Sequence, residues 1–433
     1  MERVVTVPIA EPVGEIAPQP WMTAPQTREV LDALHAAGAD ARFIGGCVRD
    51  ALLKRPIRDI DIATPKPPEA VMAALRTAGI KVVPTGLDHG TVTAVVDTAT
   101  FEITTLRIDV ETDGRRARVA FTDDWIVDAA RRDFTINAMS CTPAGDVYDY
   151  FGGLEDLGHG RIRFVGDARD RINEDVLRLL RYFRFYAHYG RPPADADALA
   201  ACRQLAAGLT LLSGERVRVE VFRTLMANDP ADVFQLMADD RVLEHVLPEA
   251  HGIGRLRLMT WLDTRAIRFD SVAPDPVRRL AALLETDGAG ALAVAARLKM
   301  SNDQTRRLAM MAEPPERPCP DTETQAVRRA LHRLGADTVR DLVLLGWAGE
   351  LAVRPRLPHE RTQAWIGLIE AADSWTPVTF PLRGRDVLAL GVAHGRRVGA
   401  LLKAVEQWWE AGDYAADHDA CLARLRTLVE AGY

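Results

Sequence analysis

The chain has 433 residues, of which 48% are hydrophobic and 27% are charged, a balance typical of globular proteins that bury sizeable cores. This length predicts about two to four domains. The formal net charge of −7 excludes a uniformly basic coat for nucleic acid but is compatible with a local basic surface.

The five cysteines are scattered, odd in number and never spaced as a CxxC pair. This pattern argues against a disulfide framework or a structural zinc site and favours a reducing compartment, for which we predict the cytoplasm. Residues 1–20 lack the basic start and apolar core of a signal peptide, and no run of about 18 apolar residues predicts a membrane span. We therefore expect no membrane partner.

The predicted elements alternate between helix and strand in the first third of the chain. After a Pro-containing tail over residues 1–24, we predict a head over 25–155. Its elements are a helix at Thr27–Ala37, a strand at Ala41–Ile44, a helix at Val48–Lys54, a strand at Ile57–Ala63, a helix at Glu69–Ala78, and paired strands at Val92–Val96 and Thr100–Leu106.

Strand signals fade after about residue 160, where helical patterns separated by Pro and Gly predominate. They include predicted helices at Asn173–Tyr189 and Glu215–Met226. We divide this part into a helical neck over residues 156–226 and a helical body and tail over 227–433. The predicted fold class is α+β, with a mixed sheet and helices in the head followed by an all-helical neck, body and tail.

A glycine pair forms the first predicted connection from a strand to a helix. Gly45 and Gly46 lie between a predicted strand and a predicted helix. Two glycines there let the backbone approach a phosphate, and a helix N-terminus favours its negative charge. Taken alone, the pair favours the plain interpretation of a tight strand–helix turn.

Two aspartates with one residue between them lie in the next predicted strand. Asp59 and Asp61 should project from one face, with Ile60 and Ile62 toward the core. Adjacent like charges are unfavourable unless a cation lies between them, and carboxylates suit Mg²⁺, which also binds substrate phosphates. Together with the glycine turn, this pattern predicts that Asp59 and Asp61 are catalytic and bind Mg²⁺; the alternative is a solvated acidic face.

The segment Arg131–Met139 mixes charge with alternating apolar residues. Arg132 is a candidate clamp for a triphosphate, and Asn137 is a candidate hydrogen-bond donor to the triphosphate or to a ribose. Taken alone, a solvated arginine pair at the start of a strand or helix explains the segment slightly better.

Residues 161–191 form a locally basic segment, although the chain as a whole has a negative net charge. Its arginines are Arg161, Arg163, Arg169, Arg171, Arg178, Arg181, Arg184 and Arg191. On one helix, Asp175 and Arg178 would be neighbours, so a weak salt bridge is the plain interpretation. The alternative is base recognition, in which the Asp accepts from the amino group of cytosine or adenine and the Arg donates to the adjacent ring nitrogen. Uracil and guanine would then meet mismatched groups.

Four ordered segments resemble those of the bacterial-type (class II) tRNA nucleotidyltransferases and poly(A) polymerases. They are GGCVRD with the later DID, EITTLR with DGRR at Asp113–Arg116, RRDFTINAM, and EDVLRLLRYFRF. The resemblance covers roughly residues 40–225, including LSGERVRVE at Leu212–Glu220, with a weaker similarity at Arg383–Leu402. It implies addition of C, C and A to the 3′ end of tRNA from CTP and ATP, by two-metal phosphoryl transfer without a covalent intermediate.

The same resemblance implies that further residues, besides the two metal-binding aspartates, bind the nucleotide. By position these are Gly46, Arg49, Arg132, Asp175, Arg178, Arg181 and Arg184. Arg132 would hold the triphosphate, Asp175 and Arg178 would read the base, and the last two arginines would support them or the phosphates. Glu102 is a candidate third metal carboxylate, and the loop Asp113–Arg116 resembles the element that helps the pocket change from C to A.

Several products are compatible with this family. A poly(A) polymerase or an enzyme that adds only A remains open, whereas the DGRR loop argues against a CC-only enzyme. An inactive RNA-binding relative is disfavoured because both aspartates are present. The body and tail should bind the tRNA acceptor end through shape and phosphates, since duplex RNA offers little base readout. Candidate contacts are Arg396, Arg397 and Lys403, and DNA is not expected as a partner.

Overall fold

The computed structural model describes residues 11–112 and 117–432. It divides into two compact units, Met1–Pro248 and Glu249–Tyr433. This division falls at residue 248, beyond the predicted neck–body boundary at 226, and the finer predicted boundaries stay predictions. The loop Asp113–Arg116 lies outside the described residues, and so does the start of the predicted tail.

The first unit contains all the strands that the structure describes. In chain order they are β1 (Gly14–Glu15), β2 (Arg42–Ile44), β3 (Ile60–Thr64), β4 (Lys81–Gly86), β5 (Thr91–Val96), β6 (Ala99–Thr105), β7 (Arg107–Thr112), β8 (Ala117–Phe121), β9 (Ser140–Cys141) and β10 (Asp146–Tyr148). The helices of this unit are α1 (Pro20–Thr23), α2 (Pro25–Ala36), α3 (Gly46–Leu52), α4 (Pro68–Thr77), α5 (Trp125–Ala130), α6 (Gly153–His159), α7 (Ala168–Glu174), α8 (Leu177–Tyr189), α9 (Ala196–Leu205), α10 (Gly214–Leu225) and α11 (Pro230–Asp239).

Eight strands form one mixed sheet in the order β1-β10-β9-β2-β3-β6-β5-β4, and β7 pairs with β8 in a separate hairpin. Strands β3 and β6 run parallel, and their register sets Asp61 opposite Glu102. Ile62 and Ile103 on the same strands are buried. Because side chains alternate between the two faces of a strand, burial of these isoleucines turns the two carboxylates to the other face.

The predicted elements of the head occur close to their expected positions. Helices α2 and α4 each begin at a proline and are followed by a glycine with positive φ, at Gly38 and Gly79. Proline suits the first turn because its missing N–H is not needed there, and glycine suits the left-handed conformation after a helix. In α4, Val71 and Leu75 lie four residues apart and are both buried, so one helix face packs on the sheet.

Two details differ from the expectation. Residues 11–24 are more than a tail, because β1 pairs with β10 and the side chains of Ile16 and Met22 are buried. The single helix predicted at Asn173–Tyr189 is divided into α7 and α8. Asp175 at the break is extended, with φ −154° and ψ 106°, and its carboxylate accepts from the N–H of Leu177 at 3.1 Å. Aspartate readily makes such local bonds, which compete with the helix.

An aromatic cluster holds α8 against the segment that follows α5. The ring of Phe134 lies 4.8 Å from that of Phe164 and 5.1 Å from that of Phe185, and Tyr182 stacks on Phe164. Phe134, Phe164 and Tyr182 are fully buried. Aromatic side chains bury large areas and prefer such tilted contacts, so this cluster fixes the arginines of α8 relative to the segment Arg131–Met139.

The second unit is helical throughout its described residues. Its helices are α12 (Ile253–Trp261), α13 (Pro276–Leu283), α14 (Gly288–Arg297), α15 (Asn302–Ala312), α16 (Thr324–Leu334), α17 (Ala336–Val353), α18 (His359–Asp373), α19 (Gly384–Leu388), α20 (Arg396–Ala411) and α21 (His418–Glu430). The last three pack around Val405, Trp409 and Leu425. Within the described ranges, no helix is both long and apolar enough to cross a bilayer.

Candidate active site

A cavity of about 520 Å³ in the first unit brings together most of the predicted site residues. Its lining consists of Gly45, Gly46, Arg49, Asp61, Arg131, Arg132, Asp133, Asn137, Asp175, Leu177, Arg178, Arg181, Phe185 and Arg216. Six of these residues are arginines and three are aspartates. An excess of guanidinium groups around a cleft attracts a polyanion such as a triphosphate. Two predicted site residues, Asp59 and Arg184, are not part of this lining.

Two further carboxylates act on Asp61, the one of the three that lines the cavity. Asp61 lies on β3 opposite Glu102 of β6. The prediction that Asp59 shares this strand is wrong, because β3 begins at Ile60 and Asp59 is exposed just before it. Burial raises the pKa of Asp61 to about 6, with further contributions from the charges of Glu102 and Asp59 and an opposing one from Arg132. The structure therefore has unneutralised negative charge around Asp61.

The charge around Asp61 fits a hard cation that the protein shares with its substrate. Among the described residues, no group of three or more His, Cys, Asp or Glu side chains forms a complete metal site. Mg²⁺ commonly takes only one or two protein carboxylates and completes its shell with water and substrate phosphates. The excess negative charge around Asp61 and the arginine-lined cavity beside it are what such a shared site requires.

The glycine turn brings the backbone next to Arg132. Gly45 has φ +66°, a conformation that other residues adopt only with strain. A Cβ atom at Gly45 would lie 3.4 Å from Nη1 of Arg132. The turn therefore needs glycine for its backbone conformation and also leaves room for this guanidinium at the cavity wall.

A buried carboxylate fixes the arginine pair after α5. The Oδ2 atom of Asp128 accepts from Nη2 of Arg132 at 3.0 Å, and its Oδ1 atom accepts from Nε of Arg131 at 2.8 Å. Burial alone raises the pKa of Asp128, but the charges of the two arginines hold it below its usual value. The buried carboxylate of Asp128 therefore holds both Arg131 and Arg132 in place, which excludes the plain interpretation of two freely solvated arginines.

Arg49 is held between the head and the end of α8. Its Nη1 donates to Oδ1 of Asn137 at 2.6 Å, and its Nη2 donates to the hydroxyl of Tyr189 at 2.7 Å. The Tyr189 ring also lies 4.2 Å from the guanidinium carbon. The amide Nδ2 of Asn137 donates to Asp133 at 3.0 Å, so Asn137 bridges two charged residues, and its contact with a triphosphate or ribose stays a prediction.

The two arginines of the middle of α8 point to different partners. The Nε atom of Arg181 donates to Oδ2 of Asp133 at 2.7 Å. Burial raises the pKa of Asp133, but the charge of Arg181 and the hydrogen bonds that Asp133 accepts bring it below its usual value. Arg184 instead pairs with Glu220 of α10 at 2.5 Å. Arg181 thus belongs to the cavity wall, whereas Arg184 joins α8 to α10.

The predicted base-reading residues do not pair with each other. Oδ2 of Asp175 is 2.7 Å from Nη2 of Arg216 on α10. Arg178 pairs with Glu174 and also donates to the backbone oxygen of Arg131 at 3.2 Å. The interpretation as an Asp175–Arg178 helix salt bridge is therefore wrong, because Asp175 lies outside the helix. Both side chains still line the cavity.

The sequence of the chain matches two family descriptions. Residues 41–163 match "Poly A polymerase head domain", and residues 195–253 match "Probable RNA and SrmB- binding site of polymerase A". The human protein "CCA tRNA nucleotidyltransferase 1, mitochondrial" is 33% identical over 396 residues, which cover 89% of this chain and 86% of the human protein.

The chain belongs to the family of CCA tRNA nucleotidyltransferases.

The chain is also similar to other members of the CCA tRNA nucleotidyltransferase family. The CCA-adding enzyme of Leuconostoc citreum is 39% identical over 251 residues, which cover 58% of this chain and 59% of that enzyme. The structure of the CCA-adding enzyme of Bacillus stearothermophilus in complex with CTP matches this chain with a TM-score of 0.75 at 26% identity. The match covers 94% of this chain and 99% of that enzyme chain. These findings confirm the predicted family, the α+β fold class and the enzyme class, a tRNA nucleotidyltransferase.

Sequence reasoning missed three residues that support the site. Asp128 anchors the arginine pair, Asp133 holds Arg181, and Arg216 holds Asp175. A signal for Arg216 was present, since it lies in the LSGERVRVE segment that the family resemblance includes. A signal for Asp133 was present too, since it follows the arginine pair within the RRDFTINAM segment. No sequence pattern marks Asp128.

The candidate RNA contacts of the tail lie in the second unit. Arg396, Arg397 and Lys403 are all on α20, and each is exposed. Exposure is what contact with RNA phosphates requires. Their role in binding tRNA stays a prediction.

Proposed function

We propose that this cavity catalyses template-independent addition of C, C and A to the 3′ end of tRNA, from CTP and ATP with release of pyrophosphate. The observation that carries the proposal is that one cavity is lined by Asp61, by the glycine turn and by both residues proposed to read the base, Asp175 and Arg178. Relatives support it, because they are named CCA tRNA nucleotidyltransferase and CCA-adding enzyme. Solved members named as complexes with CTP, ATP or tRNA share the fold.

Asp59 and Asp61 are the proposed ligands of Mg²⁺, with Glu102 as the candidate third carboxylate that the register brings beside Asp61. When bound, Mg²⁺ would supply activation of the RNA 3′-hydroxyl and neutralisation of charge on the phosphates. No covalent intermediate is needed, because positioning and electrostatic stabilisation supply most of the catalysis in phosphoryl transfer.

The arginines of the cavity bind and orient the triphosphate. Arg132 is the proposed clamp, because Asp128 already holds its guanidinium at the cavity wall and little side-chain freedom remains to be lost on binding. Arg181 is held in the same way by Asp133. Arg49, next to Gly46, is fixed through Asn137 and completes the basic lining.

Base choice is assigned to Asp175 and Arg178. The Asp175 carboxylate has acceptors for the exocyclic amino group of cytosine or adenine, and the Arg178 guanidinium has donors for the neighbouring ring nitrogen. Uracil and guanine would leave buried polar groups unpaired, and such mismatches are costly. Because Arg178 pairs with Glu174 in this structure, part of its donor set must turn toward the base when a nucleotide binds.

An extension assay tests the product. Purified enzyme receives tRNA that lacks its CCA end, tRNA that ends in CC, or a generic RNA, with CTP, ATP, UTP and GTP supplied separately and then together. We expect two C additions from CTP alone and the terminal A only when ATP is also present. Long poly(A) on generic RNA without use of CTP would support a poly(A) polymerase instead, and extension only of tRNA ending in CC would support an A-adding specialist.

A second arm tests the assigned metal ligands. Asp59→Ala and Asp61→Ala should each abolish incorporation and leave tRNA binding unchanged, as measured by filter binding. Surviving incorporation in either variant would reject that residue as a ligand. The same variants separate a catalytic role from that of an inactive RNA-binding relative.

The proposed location is the cytoplasm. All five cysteines are free, and four of them are buried, which is compatible with a reducing compartment. The human relative is named as mitochondrial, so subcellular fractionation with an antibody to the chain is the experiment that decides.

A further inference from the structure

The second unit encloses a cavity of about 610 Å³, and none of its lining residues takes part in the proposed transfer reaction. Helices α12, α13, α14, α15, α17 and α18 contribute its walls. The apolar part of the lining includes Leu284, Leu308, Met311, Leu342, Leu345 and Trp365. Its volume lies in the range of about 300–1,000 Å³ that small-molecule sites occupy in proteins.

Two glycines in the middle of α17 help to keep this space open. Gly346 and Gly349 both line the cavity, although a glycine inside a helix costs about 1 kcal/mol relative to alanine. A Cβ atom at Gly346 would lie 2.9 Å from the Trp365 ring, so that glycine lets the ring pack. At Gly349 the nearest atom to a Cβ is Cδ of Arg255 at 4.0 Å, so a longer side chain there would fill the cavity.

One side of the cavity carries an arginine whose hydrogen bonds are only partly used inside the protein. Nε of Arg255 donates to the backbone oxygen of Ala282 at 2.8 Å, and its Nη2 donates to those of Ala281, at 2.9 Å, and Leu284, near the end of α13. Across the described residues, its Nη1 makes no hydrogen bond. Burial lowers the pKa of Arg255, Glu285 raises it, and the neighbouring Arg317 lowers it again.

The other charges of the lining are either paired or at the rim. Glu350 accepts from Nε of Arg361 at 3.0 Å and from Nε1 of Trp365 at 2.6 Å, so this acid is already satisfied. Arg317 is exposed, and its Nη2 donates to the backbone oxygen of Ala312 at 3.0 Å. Two arginines, Arg255 and Arg317, therefore face a single unpaired acid, the exposed Glu285.

We propose that this cavity binds a small organic anion, with a flat apolar body on the floor near Trp365 and a carboxylate or monophosphate head beside Arg255 and Arg317. Two neighbouring guanidinium groups repel each other, and an anion between them removes that repulsion and supplies an acceptor for Nη1 of Arg255. Burial of the apolar body against leucine and tryptophan side chains supplies most of the affinity.

The experiment uses three probes that share one ring system: 2-naphthoate, 2-naphthyl phosphate and the neutral 2-naphthol. Binding to the full-length enzyme is measured by titration calorimetry in the presence of excess CTP, so that the nucleotide cavity is occupied. We expect saturable one-site binding of at least one anion, at least tenfold tighter than that of 2-naphthol. The tighter anion identifies the head group as carboxylate or phosphate. Equal affinity for all three probes, or no binding of any, overturns the proposal.

Variants locate the probe. Gly349→Leu should fill the cavity and weaken binding at least tenfold, whereas Gly367→Leu is the matched control because a Cβ there meets nothing within 4 Å and Gly367 is exposed on α18. Arg317→Gln changes an exposed side chain, so its folding is not in question, and it should weaken the anions several-fold without changing 2-naphthol binding. If Gly349→Leu and Arg317→Gln both bind the anions as the parent enzyme does, the probe lies elsewhere and the proposal is wrong.

Discussion

Asp175 is held by Arg216, with 2.7 Å between Oδ2 of the carboxylate and Nη2 of the guanidinium. Arg216 lies near the start of α10, whereas Asp175 lies in the break between α7 and α8. The orientation of one proposed base-reading residue therefore depends on a helix that begins almost forty residues later in the chain. Although Arg216 also lines the cavity, we assign it a positioning role, because its ion pair orients Asp175.

Replacement of Arg216 by glutamine should weaken base choice more than it weakens catalysis itself. Without the guanidinium, the Asp175 carboxylate keeps only its bond from the N–H of Leu177 among the described residues and is held less firmly. We expect KM for CTP and for ATP to rise about tenfold, equivalent to about 1.4 kcal/mol. Incorporation of UTP and GTP relative to CTP should increase. Steady-state kinetics with each nucleotide measures both effects.

The matched control for this variant is Arg223→Gln on the same helix, whose side chain forms no ion pair among the described residues. It should leave KM and nucleotide choice unchanged. A merely structural role of Arg216 would lower kcat and stability without a change in misincorporation, and that result would contradict the positioning role.

Tyr189→Phe removes one hydroxyl that joins the head to α8. That hydroxyl accepts from Arg49 at 2.7 Å and donates to Asp50 at 2.9 Å, while the ring face that stacks on Arg49 is kept in the variant. We expect kcat/KM for CTP to fall about tenfold, because Arg49 loses one of the contacts that orient it. Tyr186→Phe on the same helix is the control, and a parallel fall in that variant would assign the effect to α8 in general.

These partners also mark the limit of what the sequence predicts. Local sequence patterns predict the strand with Asp61 and helices α2 and α4, because apolar residues repeat there every two to four positions. The glycine turn follows from two adjacent glycines, which are also a local signal. The bonds from Arg49 to Tyr189 and from Arg216 to Asp175 join residues that are far apart in the chain. They depend on how α8 and α10 pack, which no local periodicity encodes.

The break between α7 and α8 illustrates the same limit at shorter range. The apolar spacing of this segment favours one continuous helix, whereas the carboxylate of Asp175 bonds the backbone of Leu177 and interrupts it. Propensity for such a local bond competes with the helix, and the aromatic cluster around Phe134 fixes the outcome by packing α8. The family resemblance points to Asp175 as a candidate base-reading residue, but it does not predict the extended conformation of that residue.

Asp61→Asn should stabilise the metal-free enzyme while it abolishes incorporation. The pKa of Asp61 is raised from 3.8 to about 6 in the folded protein, so folding favours its protonated form. Stability from this group is complete below pH 3.8 and is lost as the pH rises through 6. In EDTA at pH 8, the asparagine variant should therefore be more stable, on the order of 1–3 kcal/mol.

Thermal unfolding at pH 4 and pH 8, with EDTA and with Mg²⁺, measures this effect. The gain in Tm should be small at pH 4, where the parent carboxyl is mostly protonated. It should also shrink when Mg²⁺ is added at pH 8, because the cation stabilises the parent and not the variant. Equal Tm values for parent and variant at pH 8 in EDTA would contradict the raised pKa.

Arg279→Met should destabilise the second unit far more than Arg306→Met does. Arg279 and Asp263 are both fully buried, with 2.7 Å between Nη2 and Oδ1, whereas the pair Arg306–Asp303 is exposed. Among the described residues, loss of Arg279 leaves the buried carboxylate with the more distant Arg278, 4.0 Å away, as its one remaining cation. Breaking such a buried pair costs about 3–5 kcal/mol. The exposed pair contributes no more than about 1 kcal/mol.

Urea unfolding, followed by tryptophan fluorescence, compares the two variants. The double variant Asp263→Leu/Arg279→Met should recover much of the stability that Arg279→Met loses, because the cost arises from the unpaired buried charge more than from the lost attraction. If the double variant is as unstable as the single one, the pair stabilises the unit through its hydrogen bonds and shape, and the charge argument fails. Urea unfolding does not depend on transfer activity, so the same comparison can be made in an enzyme with an inactive active site.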